Sequence, residues 1–197
     1  RFGGPRRMHG HEDRGEVVWS ARGIPVLVDP GTATYSEGAA RSWTLSPISH
    51  SSAYVVGGRF APRAPVALVR WARTRTADSF TLRGAPYGRT QTRTVVADPV
   101  RHALTLTDSV VSGRMVQVLQ LDPRWRPVSV KAHALVCVDG AGHRLVVTTT
   151  GTVSSVRRGR AGLDGGWTFR YPPAVRVPAA RVLVSGGAAV RTVLRVS

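Results

Sequence analysis

Short β-rich segments separated by turn residues run through most of this 197-residue chain and limit what it can fold into. Valine, leucine and threonine fill the segments, and pairs such as Asp-Pro, Ser-Gly and Gly-Gly separate them. Apolar and polar residues alternate over residues 104–107 and 116–121, which is typical of strands with one buried and one wet face. No stretch longer than a turn or two has the apolar period of a helix. The pattern predicts an all-β fold, a large antiparallel two-sheet β-sandwich.

The turn residues divide the chain into a predicted series of strands. In order, these are residues 16–21, 24–29, 52–57, 66–73, 79–83, 90–97, 103–111, 116–121, 128–138, 144–150, 167–171, 182–185 and 190–196. Arg22-Gly23 predicts a hairpin between the first two strands, which would bring Asp29 back towards His11. Residues 1–14 and 30–52 are expected to be irregular, and the second stretch is long enough to suggest a functional loop.

The charge of the chain comes almost entirely from arginine. Lysine and arginine number 28 against 11 acidic residues, giving a formal net charge of +17, and Lys131 is the only lysine. This excess favours an acidic partner, either nucleic acid or an acidic polysaccharide. Because the arginines stand singly along the strands, we expect an acidic polysaccharide or oligosaccharide and not nucleic acid. An arginine bias of the source genome explains the excess about as well.

The single cysteine and the first residues say little about the compartment. Cys137 lies inside the apolar run 134–138, where a small buried side chain is expected. The sequence contains no signal peptide and no apolar run of membrane-spanning length, so we expect no membrane span. It opens on Arg-Phe-Gly-Gly without an initiator methionine, and we therefore expect it to be part of a longer protein.

The polar residues with the clearest chemistry lie in the first quarter of the chain. His9 and His11 are two positions apart, so an extended segment would place both side chains on one face, about 7 Å apart. Asp29 ends an apolar run, and His50 ends a polar loop. Together His11, Asp29 and His50 offer nitrogen and oxygen donors that zinc accepts. The same residues are equally consistent with polar side chains hydrogen-bonded beneath a sheet.

These residues are part of a longer likeness. Residues 5–13 read Pro-Arg-Arg-Met-His-Gly-His-Glu-Asp, and residues 26–35 read Val-Leu-Val-Asp-Pro-Gly-Thr-Ala-Thr-Tyr. Both resemble the heparinase II/III-like C-terminal domain of polysaccharide lyases such as heparinases II and III and the oligoalginate lyases. Arg-Ser-Trp at 41–43 and Ser-Pro-Ile-Ser-His at 46–50 are similar to the family's Arg-Ser-(x)-Ala-His-Asn-Thr stretch. Ser51 stands where the family usually has asparagine, and beyond about residue 60 only the strand rhythm and residues 93–98 continue the likeness.

The resemblance implies roles for the polar residues. His9 takes the position of the catalytic histidine, and His11, Asp29 and His50 take those of the ligands of one structural zinc ion. Such a lyase removes the C5 proton of a uronic acid and expels the 4-linked sugar by β-elimination, for which imidazole is a suitable base. The zinc would fix the loop against the hairpin and would not activate water. His9 could instead hydrogen-bond a sugar or the backbone.

Substrate-binding residues are expected on the same segments. The charge that develops beside the uronate carboxylate calls for cationic or hydrogen-bonding groups. The nearby candidates are Arg6, Arg7, Arg14 and Arg41. We select Arg7 and Arg41, although the residues alone do not choose among the four. Trp43 is the tryptophan expected to stack on a sugar ring, and Tyr35 is expected at the edge of the site.

The resemblance also implies what surrounds this part of the protein. We expect residues 1–197 to form one β-sandwich domain that follows an N-terminal helical toroid domain, absent here, which supplies a tyrosine acid/base. The isolated chain would then be half an active site with little turnover. A periplasmic, secreted or cell-envelope location follows from the family's usual substrates. The alternative is a non-catalytic carbohydrate-binding or scaffold sandwich in which the metal only holds the loops together.

Overall fold

Antiparallel strands dominate the computed structural model, which describes residues 13–62, 64–170 and 175–197. Strands account for 53% of the residues and helices for 6%. In chain order the strands are β1 (Trp19–Ala21), β2 (Ile24–Leu27), β3 (Ala53–Val55), β4 (Val66–Arg73), β5 (Asp78–Gly84), β6 (Gln91–Asp98), β7 (Ala103–Val110), β8 (Met115–Gln120), β9 (Arg126–Lys131), β10 (Ala134–Val138), β11 (Arg144–Thr149), β12 (Thr152–Arg158), β13 (Trp167–Arg170), β14 (Val175–Pro178), β15 (Ala180–Gly186) and β16 (Ala189–Val196). A short helix, α1 (Ala39–Leu45), and a 3-10 helix (Pro47–Ser49) lie between β2 and β3. Within the described ranges, no helix combines the length and apolar character needed to cross a bilayer.

Two sheets enclose the core. The larger has the strand order β4-β5-β6-β7-β16-β11-β10-β9, and the smaller has the order β12-β15-β8-β3. Every pairing within them is antiparallel. Leu106 and Leu194 of the larger sheet share one buried cluster with Leu119 and Val184 of the smaller sheet. The predicted all-β two-sheet sandwich is confirmed.

The alternation of apolar and polar residues in the sequence determines which side chains are buried in this core. In β7, Leu104 and Leu106 are buried while Thr105 and Thr107 are partly exposed. The strand β8 differs, because every one of its residues is buried. Its second face is covered by other parts of the chain, as shown by Gln120, whose side-chain amide donates to the carbonyl of Trp167 in β13. The segments that carry the candidate site lie against this strand.

Several predicted elements differ from the structure. Residues 128–138 were predicted as one strand, but they form β9 and β10, which pair as a hairpin with Lys131 opposite Ala134. The strands β12 and β14 were not predicted: a bulge between Val153 and Ser155 breaks the alternation in β12, and no residue of β14 is fully buried. The predicted loop 30–52 contains α1, a helix too short to show a helical period, in which Trp43 and Thr44 are the buried residues.

Candidate metal centre

Three polar side chains from separate parts of the chain meet in the structure. Glu16 precedes β1, Asp29 follows β2, and His50 follows the 3-10 helix. The Nδ1 atom of His50 lies 3.1 Å from Oε1 of Glu16 and 3.5 Å from Oδ2 of Asp29. The three donor atoms all lie within 4.8 Å of one another. We call Glu16, Asp29 and His50 the carboxylate–histidine cluster.

The β1-β2 hairpin brings the two carboxylates together. Its turn residues Arg22 and Gly23 have φ angles of 56° and 74°, the left-handed pair that matches the twist of two paired strands. The strands run antiparallel, with Trp19 opposite Leu27. The chain before β1 therefore lies beside the chain after β2, and the hairpin predicted from the sequence is present.

The backbone that follows β2 fixes the orientation of Asp29. Its Oδ1 atom accepts a hydrogen bond of 2.7 Å from the amide of Gly31. Gly31 has a φ of 78°, and a Cβ at this position would lie 2.1 Å from the carbonyl oxygen of Phe169. The amide of Phe169 donates to the carbonyl of Pro30. Position 31 must be glycine because the backbone approaches β13 so closely. Since Oδ1 of Asp29 is bonded to the Gly31 amide, Oδ2 points towards His50.

The helical segment between β2 and β3 orients His50. Its Nε2 atom lies 3.1 Å from the carbonyl oxygen of Thr44. A carbonyl can only accept, so Nε2 carries a hydrogen and Nδ1 faces the carboxylates. Burial alone would lower the pKa of His50, but its hydrogen bonds to Asp29 and Glu16 and their negative charges raise that pKa to about 9. In the absence of a metal ion, the imidazole is therefore protonated at neutral pH.

The donor chemistry of the cluster fits zinc. Zinc binds imidazole nitrogen and carboxylate oxygen, and both kinds of atom converge here. A metal-binding histidine usually donates its second ring N–H to a carbonyl or carboxylate, as Nε2 of His50 does to Thr44. Glu16 is a donor that the sequence analysis missed. Counting back from the two-residue turn at Arg22-Gly23 would place Glu16 opposite Asp29, but an irregularity between Trp19 and Ser20 shifts the pairing by one residue, so counting alone could not have identified it.

A cleft of about 620 Å³ lies beside the cluster. Glu16 and Asp29 line it together with apolar side chains from β1 and from β5, β6 and β7 of the larger sheet. His50 is fully buried, whereas the side chain of Asp29 is 37% exposed. Both carboxylate residues of the cluster therefore line the cleft, whereas His50 does not.

Three predicted site residues lie outside the described residues. These are the catalytic His9, the metal ligand His11 and the substrate-binding Arg7. The catalytic role of His9 and the metal-binding role of His11 stay predictions. Of the predicted ligand set, the structure brings Asp29 and His50 together and adds Glu16 to them.

The other predicted substrate-binding residues belong to two different environments. Tyr35 is exposed, and the guanidinium carbon of Arg41 lies 5.5 Å from the centre of its ring. Arg41, which is half-buried, also donates to the carbonyl of Thr34, so these residues form one group at the surface of the loop. Trp43 is buried, with its ring at a T-shaped angle to Phe169 and a centroid distance of 5.8 Å. At this position Trp43 packs against Phe169 in the interior of the protein. Its stacking on a sugar stays a prediction.

Comparison with known proteins identifies the family. Residues 2–186 match the family model described as heparinase II/III-like, C-terminal. The fold is similar to that of heparan sulfate lyase HepC from Pedobacter heparinus, with a TM-score of 0.79 and 14% identity over 98% of this chain and 32% of that chain. A solved heparinase III structure matches with a TM-score of 0.78 and 14% identity over 100% of this chain and 32% of that chain.

The extent of these matches differs between sequence and structure. The chain spans about a third of the length of each of these two solved structures, and at 14% identity they show the fold alone. A comparison with curated proteins gives no match. The family model, in contrast, covers nearly the whole chain. The protein therefore belongs to the heparinase II/III-like C-terminal domain family.

Proposed function

We propose that the chain is the C-terminal domain of a polysaccharide lyase that cleaves uronic-acid-containing glycans by β-elimination. The observation that carries this proposal is the convergence of Asp29 and His50, two residues of the family motif, with Glu16 in one cluster. The family match supports lyase chemistry. An acidic glycan as substrate is supported by the net charge of +17 and by the heparan sulfate in the name of the similar HepC.

The chemistry assigns a proton-transfer role to His9. The C5–H bond of a uronic acid lies next to the carboxylate, and its electron pair forms the new C4–C5 double bond as the C4–O bond breaks. His9 would accept the C5 proton, and the leaving oxygen would take a proton from an acid on the preceding domain. Arg7 and Arg41 would stabilise the negative charge that develops on the carboxylate, with Tyr35 and Trp43 beside the sugar ring. The contact between exposed Tyr35 and half-buried Arg41 supports this use of the loop.

Zinc is the proposed metal, held by His11, Asp29 and His50 with Glu16 as a further donor. Bound zinc would supply a fixed positive centre that joins the first loop, the hairpin and the helical segment. His50 would offer Nδ1, because its Nε2 is directed at the carbonyl of Thr44. Asp29 would offer Oδ2, since Oδ1 is bonded to the amide of Gly31. The segment next to His11, which carries His9, would be held in place with them.

We further propose that residues 1–197 form one domain of a longer protein. The sandwich spans about a third of each of the two solved lyase structures, which supports a preceding domain that completes the active site. The expected neighbour is a helical toroid domain of the same chain. A periplasmic, secreted or cell-envelope location agrees with an extracellular glycan substrate.

The test is His9→Ala in the longer protein, assayed on uronate glycans by the ultraviolet absorbance of the unsaturated product. We expect product formation to be lost, while zinc content and the unfolding temperature stay at the wild-type values. His143→Ala is the matched control, because His143 pairs with Asp139 in the β10-β11 turn and should keep full activity. Product formation by His9→Ala at the wild-type rate would contradict the assignment of the base.

A non-catalytic carbohydrate-binding or scaffold module is the second candidate. It is favoured by the contacts of His50, whose two ring nitrogens both have partners within the protein, Glu16 and Thr44. Such a cluster can hold loops together without taking part in a reaction. In that case the wild-type longer protein would bind glycan but form no unsaturated product, and His9→Ala would leave the affinity unchanged.

A further inference from the structure

A second buried polar group lies next to the carboxylate–histidine cluster. Arg93 of β6 forms two parallel hydrogen bonds to Asp108 of β7, at 2.7 and 2.9 Å. Gln117 of β8 donates to the same carboxylate at 2.7 Å and accepts from the hydroxyl of Thr192 in β16. All four side chains are buried. We call Arg93, Asp108, Gln117 and Thr192 the arginine network.

The arginine network reaches the cluster through one nitrogen. Nη1 of Arg93 donates to the carbonyl of Gly15 and, at 2.9 Å, to the carbonyl of Ser51. Gly15 immediately precedes Glu16, and Ser51 immediately follows His50. The guanidinium therefore contacts the backbone beside two of the three members of the cluster.

The two backbone segments are also bonded to each other and to the smaller sheet. The amide of Val17 donates to the Ser51 carbonyl at 3.1 Å, so this oxygen accepts both from Val17 and from Arg93. The hydroxyl of Ser51 accepts from the amide of Gln120 in β8. Ser51, the residue that departs from the family pattern, is thus the point where the His50 segment joins both sheets.

Only an arginine side chain suits this arrangement. Its planar guanidinium has five N–H donors in a fixed fork, so Nε and Nη2 can bind a carboxylate while Nη1 serves two carbonyls. A lysine ammonium can pair with Asp108 but cannot present donors in these two directions at once. The charge of Arg93 is balanced by Asp108, which leaves its outer donors directed at Gly15 and Ser51.

We propose that Arg93 is a positioning residue for the carboxylate–histidine cluster. It holds the segment before Glu16 and the segment after His50 at the separation that lets both side chains share one ligand. The consequence for metal binding rests on the proposed function, whereas the positioning of the two segments does not. If Arg93 only stabilised the core, its substitution would destabilise the whole fold equally. The cluster would then be disturbed no more than any other region.

The experiment compares Arg93→Lys with Thr192→Val in the full chain. Thr192→Val removes a hydroxyl at the far end of the same network and leaves the bonds to Gly15 and Ser51 intact, so it is the control for a loss of core stability. The first measurement is hydrogen exchange of the Val17 amide in metal-free protein, relative to core amides of β7. The second is zinc affinity, measured by competition with a chelator.

We expect Arg93→Lys to raise the exchange rate of the Val17 amide about tenfold relative to β7, because a charge-assisted bond to its acceptor is lost. Zinc affinity should fall about 10- to 100-fold, the usual effect of losing a group that orients a ligand. Thr192→Val should change neither value. Equal effects of the two variants, or an unchanged Val17 exchange in Arg93→Lys, would overturn the proposal.

Two further outcomes separate this proposal from its premises. If wild type binds no zinc, the proposed metal function fails, while the Val17 exchange still decides whether Arg93 positions the segments. If Arg93→Lys does not fold, the double variant Arg93→Met/Asp108→Leu replaces the buried ion pair with apolar side chains, which folds in comparable cases. The double variant also lacks the hydrogen bonds from residue 93 to Gly15 and Ser51, so we expect the same increase in the exchange rate of the Val17 amide. If that increase is absent, the proposal is overturned.

Discussion

The arginine network and the carboxylate–histidine cluster differ in the balance of their charges. In the arginine network one guanidinium meets one carboxylate, and Gln117 adds a neutral donor. In the carboxylate–histidine cluster two carboxylates meet one imidazole. A balanced and hydrogen-bonded pair needs no further ion, whereas two carboxylates on one imidazole favour a bound proton or a metal cation. The ratio of carboxylates to cationic groups among these side chains thus distinguishes the arginine network from the candidate metal centre.

The largest effect is expected from unbalancing the arginine network. Asp108→Ala leaves the charge of Arg93 buried without its carboxylate, so the free energy of unfolding of metal-free protein should fall by about 3–5 kcal/mol. Denaturant titration measures this change. Asp78→Ala is the control, because its ion pair with Arg73 lies at the surface and should contribute nothing measurable. A loss below about 1 kcal/mol in Asp108→Ala would contradict a structural role for the network.

A smaller effect is expected from the backbone that orients Asp29. Gly31→Ala adds a methyl group against the carbonyl of Phe169, in a left-handed conformation, and should lower the free energy of unfolding by about 1–3 kcal/mol. Gly23→Ala has a similar φ of 74° but open space around its Cβ, so it should cost less. Because Asp29 accepts from the Gly31 amide, Gly31→Ala should also weaken zinc binding, and Gly23→Ala should not. Equal behaviour of the two variants in unfolding and zinc titrations would exclude this role of the close contact.

The smallest effect is expected from the proton on His50. Its pKa is about 9 in the folded metal-free protein, against 6.5 for an unperturbed histidine. The stabilisation it gives is therefore complete below pH 6.5 and is lost as the pH rises towards 9. We expect the unfolding temperature in the presence of a chelator to fall across this range in wild type more than in His50→Gln. Zinc should abolish the difference, because it binds the neutral imidazole. The same pH dependence in both proteins would assign it to other groups.

The sequence predicted the sheets better where one face is buried. The strand β7 shows clean alternation because Leu104 and Leu106 enter the core while their neighbours face water. The strand β12 was missed because a bulge separates Val153 from Val156, the two residues that pack against the core. The strands β9 and β10 were merged because the turn between them contains no glycine or proline. Apolar alternation thus identifies a strand only where no bulge interrupts it, and a hairpin is resolved only where its turn contains a recognisable turn residue.

The candidate site was predictable to the extent that it follows a motif. Asp29 and His50 were found from their residue types and the family likeness, and the structure brings them together. Glu16 depends on the register of the β1-β2 hairpin, and Arg93 is one arginine among many in this chain until β7 places Asp108 opposite it. Cross-strand register, which a single sequence specifies weakly, decided both of these positions.

The central claim is that the carboxylate–histidine cluster binds zinc. Elemental analysis of the purified full chain, wild type beside Asp29→Asn, tests it most directly. The substitution keeps the shape of the side chain and an oxygen for the Gly31 amide but removes the charge. We predict about one zinc ion per wild-type chain and little or none in the variant. No metal in either protein, or the same amount in both, would contradict the claim.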